Sequence, residues 1–138
     1  MIANYARNQY QEMQVQTSPE RLVVMLYEGA LSFLERGIDA LQRGDIDGQA
    51  RFLGKTQDIV CHLMATLDMT VGPIAEQLEG MYRYCLKRLL AGHAGDDLSA
   101  LEEVAGILRE LRDGFAHAER TVSAERQALL PALQGACA

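Results

Sequence analysis

Large apolar side chains recur at steps of three and four in four successive segments, with a glycine- or proline-containing break between segments. That period matches the 3.6-residue turn of an α-helix and excludes the strict alternation of a half-buried strand. The first stripe runs Val23, Leu26, Tyr27, Ala30, Leu34, Ile38 and Leu41, and the second Leu53, Thr56, Ile59 or Val60, Leu63, Met64 and Leu67. The third holds Ile74, Leu78, Met81, Tyr82, Cys85, Leu86, Leu89 and Leu90, and the fourth Leu101, Val104, Leu108, Leu111 and Phe115. Each predicts an amphipathic helix that buries one face in a shared core.

The punctuation between stripes sets the topology. In Thr17-Ser18-Pro19-Glu20, Thr17 and Glu20 stand at capping-box spacing, while Ser18 offers an N-cap followed by proline at the first helical position. Either reading starts a helix here. Gly44 ends it in the usual left-handed position, and Asp45 or Asp47 caps the second. Val71-Gly72-Pro73 breaks the second helix and Pro73 opens the third. Gly92-His93-Ala94-Gly95 is expected to turn, with Asp96 or Asp97 capping the fourth helix. Connections this short make successive helices antiparallel neighbours, so the expected fold is all-α, an up-down four-helix bundle. It should occupy residues 17–120. Residues 1–16 lack a clear stripe and are expected to form a mobile arm or a marginal helix. Residues 121–138 should form a tail, a frayed continuation of the fourth helix stopped by Pro131.

Composition narrows the class. With 138 residues, 49% apolar and 23% charged, the chain suits one soluble domain with a real core. A formal net charge of −6 disfavours nucleic acid, which needs a basic surface. Arg83, Lys87 and Arg88 share helical spacing and read as a solvated helix face. The three cysteines, Cys61, Cys85 and Cys137, lack metal-ligand or redox spacing, which fits a reducing compartment. No segment approaches the ~18 apolar residues of a membrane span, and the start of the chain has no apolar signal core. A cytosolic protein with no membrane partner is expected.

Helical bundles host several chemistries, and their residues are missing here. A di-iron bundle needs a Glu-x-x-His pair on each of two helices, and none occurs; His62, His93 and His117 fall on different elements, so no metal site is expected. A histidine phosphotransfer bundle, a signalling class, is the alternative reading, with His62 as acceptor. Such an acceptor is followed three and four residues later by Lys and Gly, whereas His62 is followed by Leu63-Met64-Ala65-Thr66. There is no Gly-x-Ser-x-Gly elbow and no phosphate-cradling glycine loop. Glu102-Glu103 and Asp96-Asp97 suit the first turn of a helix. No active site and no cofactor site is expected.

Surplus apolar surface remains. Tyr82, Leu86 and Leu90 widen the third stripe beyond one bundle face, and Leu63 and Leu67 widen the second. Wide stripes alone would explain this, and so would a hydrophobic groove between adjacent helices that accepts an amphipathic partner helix. Met64, Met69 and Met81 would let such a surface adapt.

The run Ser18-Pro19-Glu20-Arg21-Leu22-Val23-Val24-Met25-Leu26-Tyr27-Glu28-Gly29-Ala30 resembles the first-helix signature of the flagellin export chaperone family FliS. The resemblance continues in register through Lys55 with Ile59-Val60, then Leu63 and Leu67-Asp68, and through Gly72-Pro73-Ile74-Ala75 with Leu78, Met81-Tyr82, Tyr84 and Arg88-Leu89. Leu101-Glu102-Glu103-Val104 with Leu108 resembles the fourth helix, so the likeness spans residues 2–115. The chain departs from the family at Gly37 and Thr56, where small helix formers such as Ala are usual, and at Phe115, where Trp is common.

The resemblance implies a cytoplasmic chaperone, not an enzyme, that binds the disordered C-terminal segment of flagellin. It would prevent premature polymerisation and assist delivery to the flagellar type III export apparatus. Carried over by position, the flagellin-binding groove comprises Leu63, Leu67, Leu78, Tyr82, Leu86 and Leu89, with Leu78 and Leu89 expected nearest the core. Ile2 and Tyr5 match an N-terminal arm expected to lie over that groove. A component of the export gate as second partner, and a weak homodimer, are left open.

Overall fold

The computed structural model describes the backbone of residues 18–136 and the side chains of residues 18–122. Thr17, the arm residues Ile2 and Tyr5, and Cys137 lie outside the described residues. Four helices account for nearly all of the described chain: α1 (Pro19–Arg43), α2 (Ile46–Ala65), α3 (Pro73–Ala94) and α4 (Leu98–Ala136), with a single 3-10 turn at Met69–Val71.

The helix starts follow the capping chemistry of the sequence. Ser18 Oγ accepts from the Arg21 amide at 3.2 Å, and Asp45 accepts from the Gly48 amide at 3.0 Å. Pro73 occupies the first turn of α3, and Asp97 accepts from the Ala100 amide at 3.2 Å. Each cap satisfies one of the amides that a helix start leaves without a partner. At the end of α1, Gly44 adopts φ +73° and the Asp45 amide reaches back to the Ala40 carbonyl at 2.9 Å.

Met25–Leu111 forms one compact unit, an antiparallel four-helix bundle. Gly29 faces Ile59 and Gly37 faces Leu53, so α1 and α2 run in opposite directions. Gln49 meets His93 across α2 and α3, and Gly92 meets Leu101 across α3 and α4. Glu35 and Ile38 line a groove with Glu102, Ala105 and Arg109, which places α4 beside α1. The core of this unit contains Tyr27, Ala30, Leu34, Leu53, Val60, Leu63, Tyr82, Cys85, Leu89, Leu101, Val104 and Leu108. Most are stripe positions. At its centre the Tyr27 and Tyr82 hydroxyls hydrogen-bond to each other, with ring centroids 6.5 Å apart.

The second unit is described for residues 18–24 and 112–136. Leu22 and Val24 are buried there while Val23 is half-buried, and Arg21 approaches the Glu119 carboxylate at 3.7 Å.

Two expectations are corrected. The segment Gly92–Gly95 does not turn: α3 continues to Ala94, and the left-handed residue is Asp96 at φ +50°. Gly92 serves close packing instead, since a Cβ there would sit 2.3 Å from Leu101 Cδ2. Pro131 does not stop α4, which runs on to Ala136. The strong helix formers of Ala124-Glu125-Arg126-Gln127-Ala128-Leu129-Leu130 oppose the local break that a proline favours.

The family departures at Gly37 and Thr56 acquire reasons. A Cβ at Gly37 would stand 2.5 Å from Leu53 Cδ2, so glycine permits the close approach of α1 and α2. Thr56 is fully buried, and its hydroxyl donates to the Phe52 carbonyl at 3.0 Å, which satisfies it inside the core.

Candidate partner-binding surface

The six groove positions divide into two sets. Leu63, Tyr82 and Leu89 are buried, at 4%, 2% and 3% exposure. Leu67, Leu78 and Leu86 are half-buried. Of the two expected nearest the core, Leu89 is inside and Leu78 reaches the surface. Tyr82 is fixed by its hydrogen bond to Tyr27 and acts as a core residue beneath the surface.

Other apolar residues stand further out. Leu90 is 66% exposed near the end of α3, and Val71 and Ile74 are 62% and 55% exposed at the α2–α3 connection. Leu86 and Leu90 lie four residues apart and form an apolar ridge along α3, and Leu90 borders a groove between α3 and α2. Below Leu90 is a groove of about 220 Å³, lined by Ala50, Leu53, Gly54 and Gln57 of α2 and by Leu89 and His93 of α3. The small residues Ala50 and Gly54 keep it open: a Cβ at Gly54 would meet nothing within 4 Å. At the other end of α3, Ile74 and Leu78 form a second pair at the same spacing, next to Val71 and Met69. Ile74 and Leu90 are about 24 Å apart along the helix at ~1.5 Å per residue. That is room for several turns of a partner helix.

The 3-10 turn that presents Met69 and Val71 is held locally. The Asp68 carboxylate accepts from the Thr70 amide at 3.0 Å and from its hydroxyl, which holds the carboxyl below its usual range. In the sequence Val71 reads only as part of a break. The available signal was a β-branched residue directly before Gly-Pro, where no helical stripe could bury it.

The polar groups around this surface are structural. Arg83 pairs with Glu79 at 2.7 Å, and Arg88 approaches Glu103 at 3.6 Å, so two of the three α3 cations already face carboxylates. Tyr84 donates its hydroxyl to Glu103, which raises the phenol above its usual range. Burial pushes the Cys85 thiol up to about 11, with the Glu103 charge adding to it, so at neutral pH it is a buried small hydrophobe and not a nucleophile. Burial also raises Tyr27, reinforced by the Tyr82 hydroxyl, and raises Tyr82. His62, the phosphotransfer alternative's acceptor, is an exposed residue in the last turn of α2. Among the described residues no helix is long and apolar enough to cross a membrane. What the site offers is exposed apolar surface.

The family described as flagellar protein FliS matches residues 2–122. The flagellar secretion chaperone FliS of Salmonella typhimurium is 34% identical over 116 residues, covering 83% of this chain and 86% of its own. FliSB of Pseudomonas aeruginosa is 31% identical over 121 residues, covering 83% and 96%, and FliS of Bacillus subtilis is 30% identical over 119 residues, covering 86% of each. These matches establish that the chain, whose described residues form four helices, belongs to the FliS family of flagellar proteins.

Proposed function

We propose that this chain is a cytoplasmic export chaperone that binds the disordered C-terminal segment of newly made flagellin. It keeps the subunit from polymerising early and assists delivery to the flagellar type III export apparatus. The observation that carries the reading is the apolar surface left outside a satisfied core: Leu90 and Leu86 at one end of α3, and Ile74, Leu78 and Val71 at the other. A segment that folds as it binds loses entropy on ordering, so a large apolar interface remains releasable. Release is what an export chaperone requires.

On this reading Leu67, Leu78 and Leu86 touch the client, joined by Leu90, Val71 and Ile74. Leu63, Tyr82 and Leu89 hold the surface in shape from beneath. The arm carrying Ile2 and Tyr5 covers apolar surface until the client arrives, so deleting residues 1–16 should change client affinity or solubility.

Size-exclusion chromatography of the full chain with a C-terminal flagellin fragment tests the proposal. Co-elution is expected with the intact fragment and not with one cut short at its C-terminus. Co-elution with neither would remove the reading. Elution of the chain alone as a dimer that excludes the fragment would point to a structural homo-oligomer.

A further inference from the structure

On the α1–α2 side of the four-helix unit, three cations stand over two aromatic rings. The Arg51 guanidinium carbon is 4.8 Å from the centroid of Phe52, and that of Arg36 is 5.8 Å from the same ring. The Lys55 ammonium is 5.1 Å from the centroid of Phe33. Arg36 thus reaches from α1 to a ring of α2, and Lys55 from α2 to a ring of α1. Both rings are half-buried, while the three cations are exposed.

Elsewhere Arg21, Arg43, Arg83, Arg88 and Arg112 each meet a carboxylate. Among the described residues Arg36, Arg51 and Lys55 meet none, and neither do Lys87, Arg109 and Arg120, but only the first three stand over aromatic rings. Asp39, the next acid after Arg36, is bound to Arg43 at 2.9 Å. A cation held over a ring loses side-chain freedom in advance and keeps N–H donors for an anion. A guanidinium so placed matches a carboxylate with two parallel hydrogen bonds. The patch is small, and it lies on a chain of net charge −6. A nucleic acid or an anionic bilayer would meet the acidic remainder of the surface along with the patch. A short carboxylate-bearing segment covers less of that acidic surface, and the rings give its apolar residues a floor.

We propose that the α1–α2 face is a docking site for an acidic amphipathic segment of a partner protein, whose carboxylates pair with Arg36, Arg51 and Lys55 over Phe33 and Phe52. It is separate from the α2–α3 surface and stands whether or not that surface takes flagellin.

Fluorescence anisotropy of a labelled amphipathic peptide of Glu, Leu and Ala, titrated with the full chain, tests this. Binding is expected at low salt and should disappear by about 0.5 M salt, where charges are screened beyond a few ångströms. The triple variant Arg36→Gln, Arg51→Gln, Lys55→Gln should bind at least about tenfold more weakly. The Arg83→Gln, Lys87→Gln variant, changed on α3, should bind like the parent. Circular dichroism checks that each variant is folded. If the triple variant is not, Lys55→Gln alone should weaken binding by about threefold. The proposal is overturned if the peptide does not bind, if its Gln-for-Glu counterpart binds equally, or if the triple variant or, where that is unfolded, Lys55→Gln binds unchanged. Loss of binding in the α3 variant overturns it too, as does preference for phosphatidylglycerol vesicles or single-stranded DNA over the peptide.

Discussion

Replacing Gly92 by Ala should destabilise the protein, although alanine is the better helix former. Gly92 lies inside α3, and helix propensity alone would reward the change by up to about 1 kcal/mol, less in this last turn. Against that, the new methyl would stand 2.3 Å from Cδ2 and 2.5 Å from Cγ of Leu101, and 3.3 Å from the Asp97 carbonyl oxygen. Leu101 is fully buried, so its side chain cannot swing into solvent. Forcing a methylene-sized group into a packed interior costs about 1–3 kcal/mol, and the net expectation is a loss of about 1–2 kcal/mol. Gly80 is the control on the same helix, because a Cβ there meets nothing within 4 Å. Gly80→Ala should stabilise by about 0.5–1 kcal/mol. Urea unfolding followed by circular dichroism should therefore separate the two variants by roughly 2 kcal/mol at similar m-values, or about 6–8 °C in Tm. A second cycle isolates the contact: Leu101→Ala, costing about 2–5 kcal/mol in the parent, should cost at least ~1 kcal/mol less once Gly92 is Ala. If Gly92→Ala proves as stable as Gly80→Ala, close approach of α3 and α4 is not the reason for glycine at this position.

Three other expectations are quickly checked. Leu90→Glu should leave stability within about 0.5 kcal/mol, since the side chain is already in solvent, yet weaken binding of a C-terminal flagellin fragment by about tenfold or more in calorimetry; unchanged affinity would remove Leu90 from the client surface. Cys85 and the Tyr27–Tyr82 pair are held protonated by burial, with folded-state pKa values above the unfolded ones. Their stabilising contribution is full below pH ~8 and is lost as pH rises past the unfolded thiol and then the unfolded phenols, by about 1–3 kcal/mol near pH 10.5; a flat profile from pH 8 upward would contradict it, and Cys85→Ala should make the decline shallower. A thiol reagent at neutral pH should modify the half-exposed Cys61 and spare Cys85 until the chain unfolds, and fast labelling of Cys85 in the native protein would count against its burial.

The helices were legible because their signals are local. Ser18, Asp45, Pro73 and Asp97 sit where an orphaned amide needs a cap or a missing amide costs nothing, and each lies at or within a residue of an observed helix start. The fourth stripe points to the core at Leu101, Val104 and Leu108, all fully buried. Gly92 is ambiguous in sequence because a glycine near a helix end has two physical uses, a left-handed turn or a close packing contact. Only the neighbouring helix decides between them. The same holds for Gly37, which reads as a propensity cost in sequence and as room for Leu53 in structure.

The binding surface was only half legible, and the reason lies in helix geometry. A stripe gives the direction of the core but not its width, because width depends on how large the facing side chains are. Leu89 and Leu90 are adjacent and chemically identical, yet one is 3% exposed and the other 66%. One step of about 100° carries the side chain from facing the core of α2 and α3 to overhanging the groove beside Ala50 and Gly54. Had those two α2 positions held large residues, Leu90 would be covered and the groove filled. The surplus apolar area is therefore set jointly by large residues on α3 and small ones on α2. Enlarging Gly54 tests that joint origin directly. Gly54→Ala should stabilise α2 by about 0.5–1 kcal/mol, as at any open helical glycine, while Gly54→Phe should fill the groove and compete with a client there. If Gly54→Phe binds the flagellin fragment as tightly as the parent does, the client rests elsewhere on the bundle, and the groove is a by-product of packing.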